Sequence, residues 1–201
     1  MRKFDPMTVQ LDRVLVFIGR RDTGKSTLLT DILYVVRNRI NDGIVISGTE
    51  SANHFWEQYV PKSYIYDDFD DKILNAVIER QKARPDKAAN GRPMLTFVIL
   101  DDVLHDESVM RRSKALKYLM FNGRHLNIFL CIVLQYPLGL PPAMRSNVDY
   151  AFILRAPGFQ DRKKLFESYA GIVSTQQLFN RLMDEFTEDR HCLVINNTVQ
   201  S

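Results

Sequence analysis

The chain has 201 residues, of which 45% are hydrophobic and 25% are charged, and its formal net charge is +3 at pH 7. This composition excludes an intrinsically disordered chain. No apolar stretch approaches the roughly 20 residues that are needed to cross a bilayer.

The N-terminal residues show no apolar secretory segment and no lipidation motif, and Cys131 and Cys192 each lie within an apolar run. We therefore expect a soluble intracellular domain with two buried thiols rather than a disulfide. The net positive charge is too small to establish a nucleic-acid partner, although it is compatible with one.

Apolar runs rich in β-branched residues alternate with amphipathic stretches along the chain. The runs predict strands at 13–18, 43–47, 63–66, 95–100, 128–134, 150–154 and 192–195. The amphipathic stretches predict helices at 25–39, 51–59, 70–84, 106–121, 159–170 and 174–186. Several runs are apolar at every position, which is typical of strands covered on both faces. The alternation predicts one α/β domain over 1–201, a three-layer fold with a mostly parallel sheet and helices on both faces. In such sheets, ligands bind beyond the carboxyl ends of the strands.

The first strand runs into a glycine-rich turn, GRRDTGKS at 19–26, which fits the phosphate-loop pattern G-x-x-x-x-G-K-[ST]. A chance match in a chain of this length is on the order of one in a hundred, so we disfavour a helix start with incidental glycines. The glycines let the backbone curl, so that its N–H groups and the start of the next helix point at phosphate oxygens. The predicted nucleotide-binding residues are Gly19, Arg20, Arg21, Asp22, Thr23, Gly24, Lys25, Ser26 and Thr27.

We make a separate prediction for each of three side chains in this loop. Lys25 is expected to reach the β- and γ-phosphates of ATP, as a catalytic residue, and Ser26 is expected to ligate Mg²⁺. Asp22 is an acid in a loop built for anions. We expect its side chain to point outward or to pair with Arg20 or Arg21.

A second motif, MLTFVILDDV, is an apolar strand that ends in Asp101-Asp102. A carboxylate at this edge of the sheet can hold the Mg²⁺ shell, and we assign this metal role to Asp101. The next residue, Asp102, is placed to act as the general base toward an attacking water. Asp102 as a cap for the following helix is the alternative.

The chain contains further strands between the phosphate-loop strand and the Asp101 strand, at 43–47 and 63–66. An additional strand between the two motif strands is typical of the division of P-loop NTPases that includes motors and helicases. Gln135 ends the next apolar run, where a carboxamide can contact the γ-phosphate or its attacking water. A turn-forming role before Tyr136-Pro137 is equally compatible with the sequence.

The order of these motifs resembles a known family. The stretches GRRDTGKST, SGTESAN, FVILDD, FNGRH, LQYP and RSNVDYAFILR look like those of the poxvirus-type genome-packaging ATPases, which belong to the FtsK–HerA superfamily. The resemblance spans roughly residues 12 to 196. It implies a homo-oligomeric ring, pentameric or hexameric, that hydrolyses ATP to pump double-stranded DNA into a preformed capsid. It also implies capsid or vertex proteins as partners and a location in the host cytoplasm, at the virus assembly site or in the virion.

The resemblance further implies that an arginine from the neighbouring subunit completes each active site. In this superfamily the arginine tends to precede the strand that ends in Gln, which selects Arg124. Arg145 is the runner-up and Arg155 the third candidate. A solvated surface arginine is the alternative for each of them.

Basic residues recur every three positions in the predicted helix 106–121, at Arg111, Lys114 and Lys117. On one continuous helix they would form a ridge that can contact DNA phosphates without reading sequence. An ordinary solvated helix face is the alternative. His105 and His125 lie beside the motifs but lack metal-ligand spacing.

Two functions of other kinds stay open at this point. A nucleotide-gated assembly protein would bind ATP with little turnover, and a cellular translocase related to HerA or FtsK would share the motor chemistry. A small-molecule phosphotransferase is disfavoured by the additional strand before Asp101.

Overall fold

The computed structural model of the chain describes residues 3–85, 87–88, 90–103 and 107–198. The strands of this part are β1 (Val14–Ile18), β2 (Asp42–Ser47), β3 (Ile65–Tyr66), β4 (Thr96–Asp101), β5 (Ile128–Leu134), β6 (Tyr150–Ile153) and β7 (Leu193–Asn196). The α-helices are α1 (Lys25–Val36), α2 (Glu50–Asn53), α3 (Asp71–Ala83), α4 (Glu107–Arg112), α5 (Lys114–Asn122), α6 (Pro142–Arg145), α7 (Phe159–Tyr169) and α8 (Gln176–Phe186).

The seven strands form one sheet in the order β3-β2-β4-β5-β1-β6-β7. All neighbouring strands are parallel except β6 and β7, which pair antiparallel. The predicted mostly parallel α/β fold is therefore confirmed. Because β1, β4 and β5 run in the same direction, their carboxyl ends meet at one edge of the sheet.

An additional strand separates the phosphate-loop strand from the Asp101 strand, as predicted, but its identity differs from the expectation. The separating strand is β5, which pairs with β1 on one side and β4 on the other. The two strands at 42–47 and 65–66 lie beyond β4. Position along the chain does not determine position in the sheet, because the crossover from β1 to β2 leaves two places that later strands fill.

Both faces of the central strands are buried, which explains their unbroken apolar sequences. Along β1, Val16 packs into the cluster on one face and Phe17 into the cluster on the other. The first cluster receives apolar residues from α3, α4, α5, α6, α7 and α8. The second is covered by α1, by the segment before β1 and by Trp56. Sheet and helices thus form the predicted three layers.

Two predicted helices differ from the structure. The predicted helix 51–59 is instead α2, a break at His54 with φ 49°, and a 3-10 helix at Trp56–Gln58. The predicted helix 106–121 is divided at Ser113, whose backbone is extended and whose side chain caps α5 by accepting a hydrogen bond from the Leu116 N–H. The single basic ridge expected on one continuous helix was therefore wrong, because Arg111 belongs to α4 while Lys114 and Lys117 belong to α5.

Candidate nucleotide-binding site

The turn after β1 has the backbone curvature that its glycines predict. Gly24 has φ 90° and Asp22 has φ 60°, both in the left-handed region, so the chain reverses before α1 begins at Lys25. A Cβ at Gly19 would lie 2.7 Å from Thr23 Oγ1 and 2.9 Å from Leu154 Cβ, so only glycine fits there without a shift. The first-turn N–H groups of a helix have no partner within the helix and can face an anion.

The charged side chains that precede Lys25 in the turn lie in different directions. Arg20 pairs with Asp161 of α7, with Nη2 and Oδ2 2.9 Å apart. Asp22 is exposed, which agrees with the outward orientation. Its positive φ is one that aspartate tolerates better than most residues. Arg21 lines the cleft beside Asp102 and Gln135.

Lys25 is 9% exposed, and its Nζ donates a hydrogen bond to the Arg20 carbonyl oxygen at 2.8 Å across the turn. Thr23 Oγ1 donates to the same carbonyl at 2.7 Å. Burial lowers the pKa of the Lys25 ammonium, against the opposing attraction of the Asp101 and Asp102 carboxylates. The lysine therefore lies inside the turn, within the field of the acid pair at the sheet edge.

Asp101, the last residue of β4, is joined directly to the phosphate-loop helix. Ser26 Oγ donates to Asp101 Oδ2 at 3.0 Å, across 75 residues of sequence. The same oxygen accepts the indole N–H of Trp56 at 2.8 Å. Burial raises the pKa of Asp101, and the hydrogen bonds from Trp56 and Ser26 oppose that rise. Turn and acid strand thus form one pocket, as the sequence predicted.

Asp102 and Gln135 lie together at the ends of β4 and β5. Gln135 Nε2 donates to Asp102 Oδ2 at 2.5 Å. Asp102 has φ 55°, so the backbone leaves the extended conformation of β4 at this residue. Both residues line a cleft of about 750 Å³ together with Arg21. The structure therefore brings together the residues assigned as base and terminal carboxamide.

The donor chemistry of this pocket suits Mg²⁺, a cation that prefers oxygen ligands and keeps several waters. A hydroxyl and a carboxylate, those of Ser26 and Asp101, are in contact there. Within the described ranges, no cluster of three or more histidine, cysteine or acidic side chains could hold a metal ion by itself. His125 is exposed, and His105 lies outside the described residues.

The three arginine candidates lie in different places. Arg124 is exposed and lines a small cavity with residues that begin β1 and β5, at the sheet edge opposite the phosphate loop. Arg145 is half-buried near Tyr169, and its Nη1 is buried without a hydrogen-bond partner among the described residues. Arg155 lines a depression beside Asp22 of its own phosphate loop.

The predicted DNA contacts, Arg111, Lys114 and Lys117, are exposed. They follow the acid pair in the chain and lie on the face of the sheet that α4 and α5 cover. Their buried neighbours Leu116 and Met120 anchor α5 to the core, as its periodicity predicted.

Sequence inspection missed two residues of the site. The sequence analysis assigns no site role to Trp56 or to Glu50. Both lie in the segment after β2, where a tryptophan next to polar residues was the available signal. The two cysteine thiols are free, as expected, but only Cys131 is buried as predicted, whereas Cys192 is partly exposed. None of the helices in the described part of the chain has the length and apolarity required to span a membrane.

A parallel sheet whose first strand enters a glycine-rich turn, with an acid pair two strands away, defines a P-loop NTPase fold with an additional strand. The profile of the family described as "Poxvirus A32 protein" matches residues 3–201. The chain belongs to this family, and the poxvirus-type resemblance read from the motifs is confirmed.

Viral relatives agree with this assignment, and a solved structure shares the fold. Uncharacterized protein 088R of Invertebrate iridescent virus 3 is 39% identical over 187 residues, 93% of this chain and 70% of that protein. Protein 075L of Invertebrate iridescent virus 6 is 34% identical over 92% of this chain and 71% of that protein. The fold is similar to that of the genome packaging NTPase B204 from Sulfolobus turreted icosahedral virus 2, with a TM-score of 0.69 and 17% identity over 96% of both chains.

Proposed function

We propose that this chain is an ATP-hydrolysing motor that translocates double-stranded DNA and packages a viral genome into a preformed capsid. The observation that carries the proposal is the 3.0 Å hydrogen bond between Ser26 and Asp101, which joins the phosphate loop and the acid strand in one pocket. Family membership and the likeness to a packaging NTPase, which was solved with ATP-gammaS, supply the biological context.

In this proposal the phosphate loop binds the triphosphate of ATP. The loop N–H groups and the start of α1 face the phosphate oxygens, and Lys25 exchanges the Arg20 carbonyl for a β- or γ-phosphate oxygen. Ser26 and Asp101 would hold Mg²⁺, which neutralises charge on the phosphates when it is bound. The other residues of the loop, through Thr27, shape this cradle.

Asp102 is the proposed general base, and Gln135 positions it. The hydrogen bond from Gln135 occupies Oδ2 of Asp102 and thereby orients the carboxylate in the cleft. A carboxylate held this way can accept the proton of a water that attacks the γ-phosphorus. Because Gln135 directly follows β5, which ends at Leu134, a shift of that strand end on loss of phosphate would move Gln135 and Asp102 together.

The neighbouring subunit of a homo-oligomeric ring completes the site in this proposal. Arg124 is the favoured arginine because it is exposed and lies at the sheet edge opposite its own phosphate loop, away from its own nucleotide pocket. Arg145 is directed into its own subunit near Tyr169, and Arg155 lies beside its own loop. These positions favour Arg124 over both.

Double-stranded DNA is the proposed substrate of translocation, with Arg111, Lys114 and Lys117 as phosphate contacts. Although no single ridge exists, all three side chains are exposed on adjacent short helices that follow the acid pair. Because few residues of chain separate Asp102 from these helices, a movement of Asp102 can be transmitted to them through the backbone. Capsid or vertex proteins are the further partners, at the virus assembly site of the host cell.

The test compares ATP hydrolysis of the purified chain with and without double-stranded DNA, alongside its oligomeric mass with an ATP analogue. We expect DNA to stimulate hydrolysis and the analogue to favour the ring. Asp102→Asn should reduce kcat by about 10²–10⁴-fold and leave ATP affinity unchanged, because it removes a base and not a phosphate ligand. A rate independent of DNA, or a monomer under all conditions, contradicts the motor. Nucleotide binding without turnover favours an assembly protein instead.

A further inference from the structure

Trp56 is the single tryptophan of the chain and is fully buried. Its indole N–H points at the sheet edge and donates to Asp101 Oδ2 at 2.8 Å. Ser26 Oγ donates to the same oxygen at 3.0 Å. Two donors converging on one carboxylate oxygen restrict rotation of the carboxylate, so the direction of Oδ1 is fixed as well.

The position of Trp56 is itself determined by a buried carboxylate. Glu50 is 3% exposed, and its Oε2 accepts the backbone N–H of Trp56 while its Oε1 accepts that of Glu57, both at 2.9 Å. A buried carboxylate that accepts two backbone N–H groups fixes the start of a 3-10 helix in the manner of a capping side chain. Glu50 thus anchors the segment that carries the indole.

Aromatic packing limits the remaining freedom of the ring. Phe55 meets the Trp56 indole edge-on, with ring centroids 5.2 Å apart and an interplanar angle of 90°. Tyr59 meets it from another side at 6.5 Å. The indole is therefore restrained by its backbone, its ring neighbours and its hydrogen bond, which is more than filling the core requires.

We propose that Trp56, anchored by Glu50, is a positioning residue that orients the Asp101 carboxylate for the cation of a bound Mg·ATP. The inference rests on the proposed function, since it concerns the same pocket. Groups that orient a metal-binding side chain contribute to metal affinity, and their removal typically lowers it by about 10–100-fold. Trp56→Phe keeps an aromatic ring and removes the donor, so it isolates this contribution.

The experiment measures the affinity of the full-length chain for the ATP analogue AMPPNP by calorimetry, first in EDTA and then with Mg²⁺. Wild type should gain affinity with Mg²⁺. In Trp56→Phe this gain should fall by about tenfold or more, while the affinity in EDTA stays unchanged because the phosphate loop is intact. Phe129→Leu is the matched control: Phe129 is fully buried in the same cluster, at the other end of β5 from Val133, which is paired with Asp101. It should lower thermal stability and leave the Mg²⁺ gain unchanged.

A second measurement uses the wild-type protein alone, so it does not require that a variant folds. Because the chain has one tryptophan, its emission reports the surroundings of Asp101. Adding Mg²⁺ to the AMPPNP complex should change that emission, whereas AMPPNP in EDTA should change it much less. If emission is insensitive to Mg²⁺, or Trp56→Phe keeps the wild-type gain, the positioning role is refuted and the proposed function stands. If wild type binds no nucleotide, both are refuted.

Discussion

Asp101→Asn should make the protein more stable while removing its metal-dependent activity. Asp101 is 6% exposed, and burial raises its pKa despite two hydrogen bonds and the nearby Lys25. Asparagine keeps an oxygen that can accept from Trp56 and Ser26 but carries no charge to desolvate. Stabilising single substitutions commonly contribute about 0.5–2 kcal/mol, and their usual cost is lost function at a destabilised site. A gain of about 1 kcal/mol corresponds to a rise in Tm of roughly 2–4 °C for a domain of this size.

The pH dependence of this gain follows from the sign of the shift. A folded-state pKa above the ordinary value of 3.8 means that folding favours the protonated acid. Ionised Asp101 therefore lowers the free energy of unfolding of the wild type. This loss of stability begins as pH rises through 3.8 and is complete above the folded-state pKa. Below both values the acid is neutral in either state, and the advantage of asparagine disappears.

Differential scanning calorimetry without nucleotide, at neutral pH and again in mild acid, measures this difference. Asp102→Asn is the matched control, because it removes the neighbouring charge from a more exposed position and should change Tm less. A lower Tm for Asp101→Asn at neutral pH would refute the reasoning. It would mean that attraction to Lys25 and charge-assisted hydrogen bonds outweigh the cost of burying the carboxylate.

Three further predictions concern the loop, the ring and the DNA. Gly24→Ala should weaken ATP binding by roughly tenfold or more, since a left-handed φ strains alanine by about 1–2 kcal/mol. Calorimetric titration with ATP measures this loss. Gly171→Ala is the control: a Cβ at Gly171 would lie in open space, so this variant should bind ATP like wild type. Arg124→Ala should lower the hydrolysis rate of the assembled ring by about 10³-fold, and mixing it with Asp102→Asn subunits should restore part of the rate; no recovery would exclude a role in trans. Replacing Lys114 and Lys117 by glutamine should flatten the slope of log affinity for DNA against log salt by about 2, and an unchanged slope in a filter-binding assay would remove them from the interface.

The parts of the site that the sequence predicted are those determined by local chemistry. The phosphate loop follows from glycines and a lysine at fixed spacing between a strand and a helix. Asp101 and Asp102 could be placed because parallel strands bring their carboxyl ends to one edge. Both inferences need only neighbours in sequence and one rule about sheets.

The parts that it missed depend on contacts between distant residues. Trp56 donates to Asp101 across 45 positions of sequence. The residues around Trp56 do not indicate which buried acceptor its indole N–H contacts. The order of strands in the sheet is likewise non-local, so the sequence places the strands at 43–47 and 63–66 between the two motifs, whereas β5 lies there. The break at Ser113 was locally readable in principle, since serine is a frequent N-cap, but the basic periodicity across it favoured one helix.

Lys25 donates a hydrogen bond to the Arg20 carbonyl oxygen and so stabilises the curvature of its own turn. In the proposed function, a bound phosphate replaces the Arg20 carbonyl as the acceptor of this hydrogen bond, so the turn is already ordered before nucleotide binds. If Lys25 binds phosphate as proposed, replacing it removes that contact and also the hydrogen bond that closes the turn. A variant at this position therefore reports loop rigidity and ligand affinity together, whereas Asp102→Asn separates hydrolysis from binding.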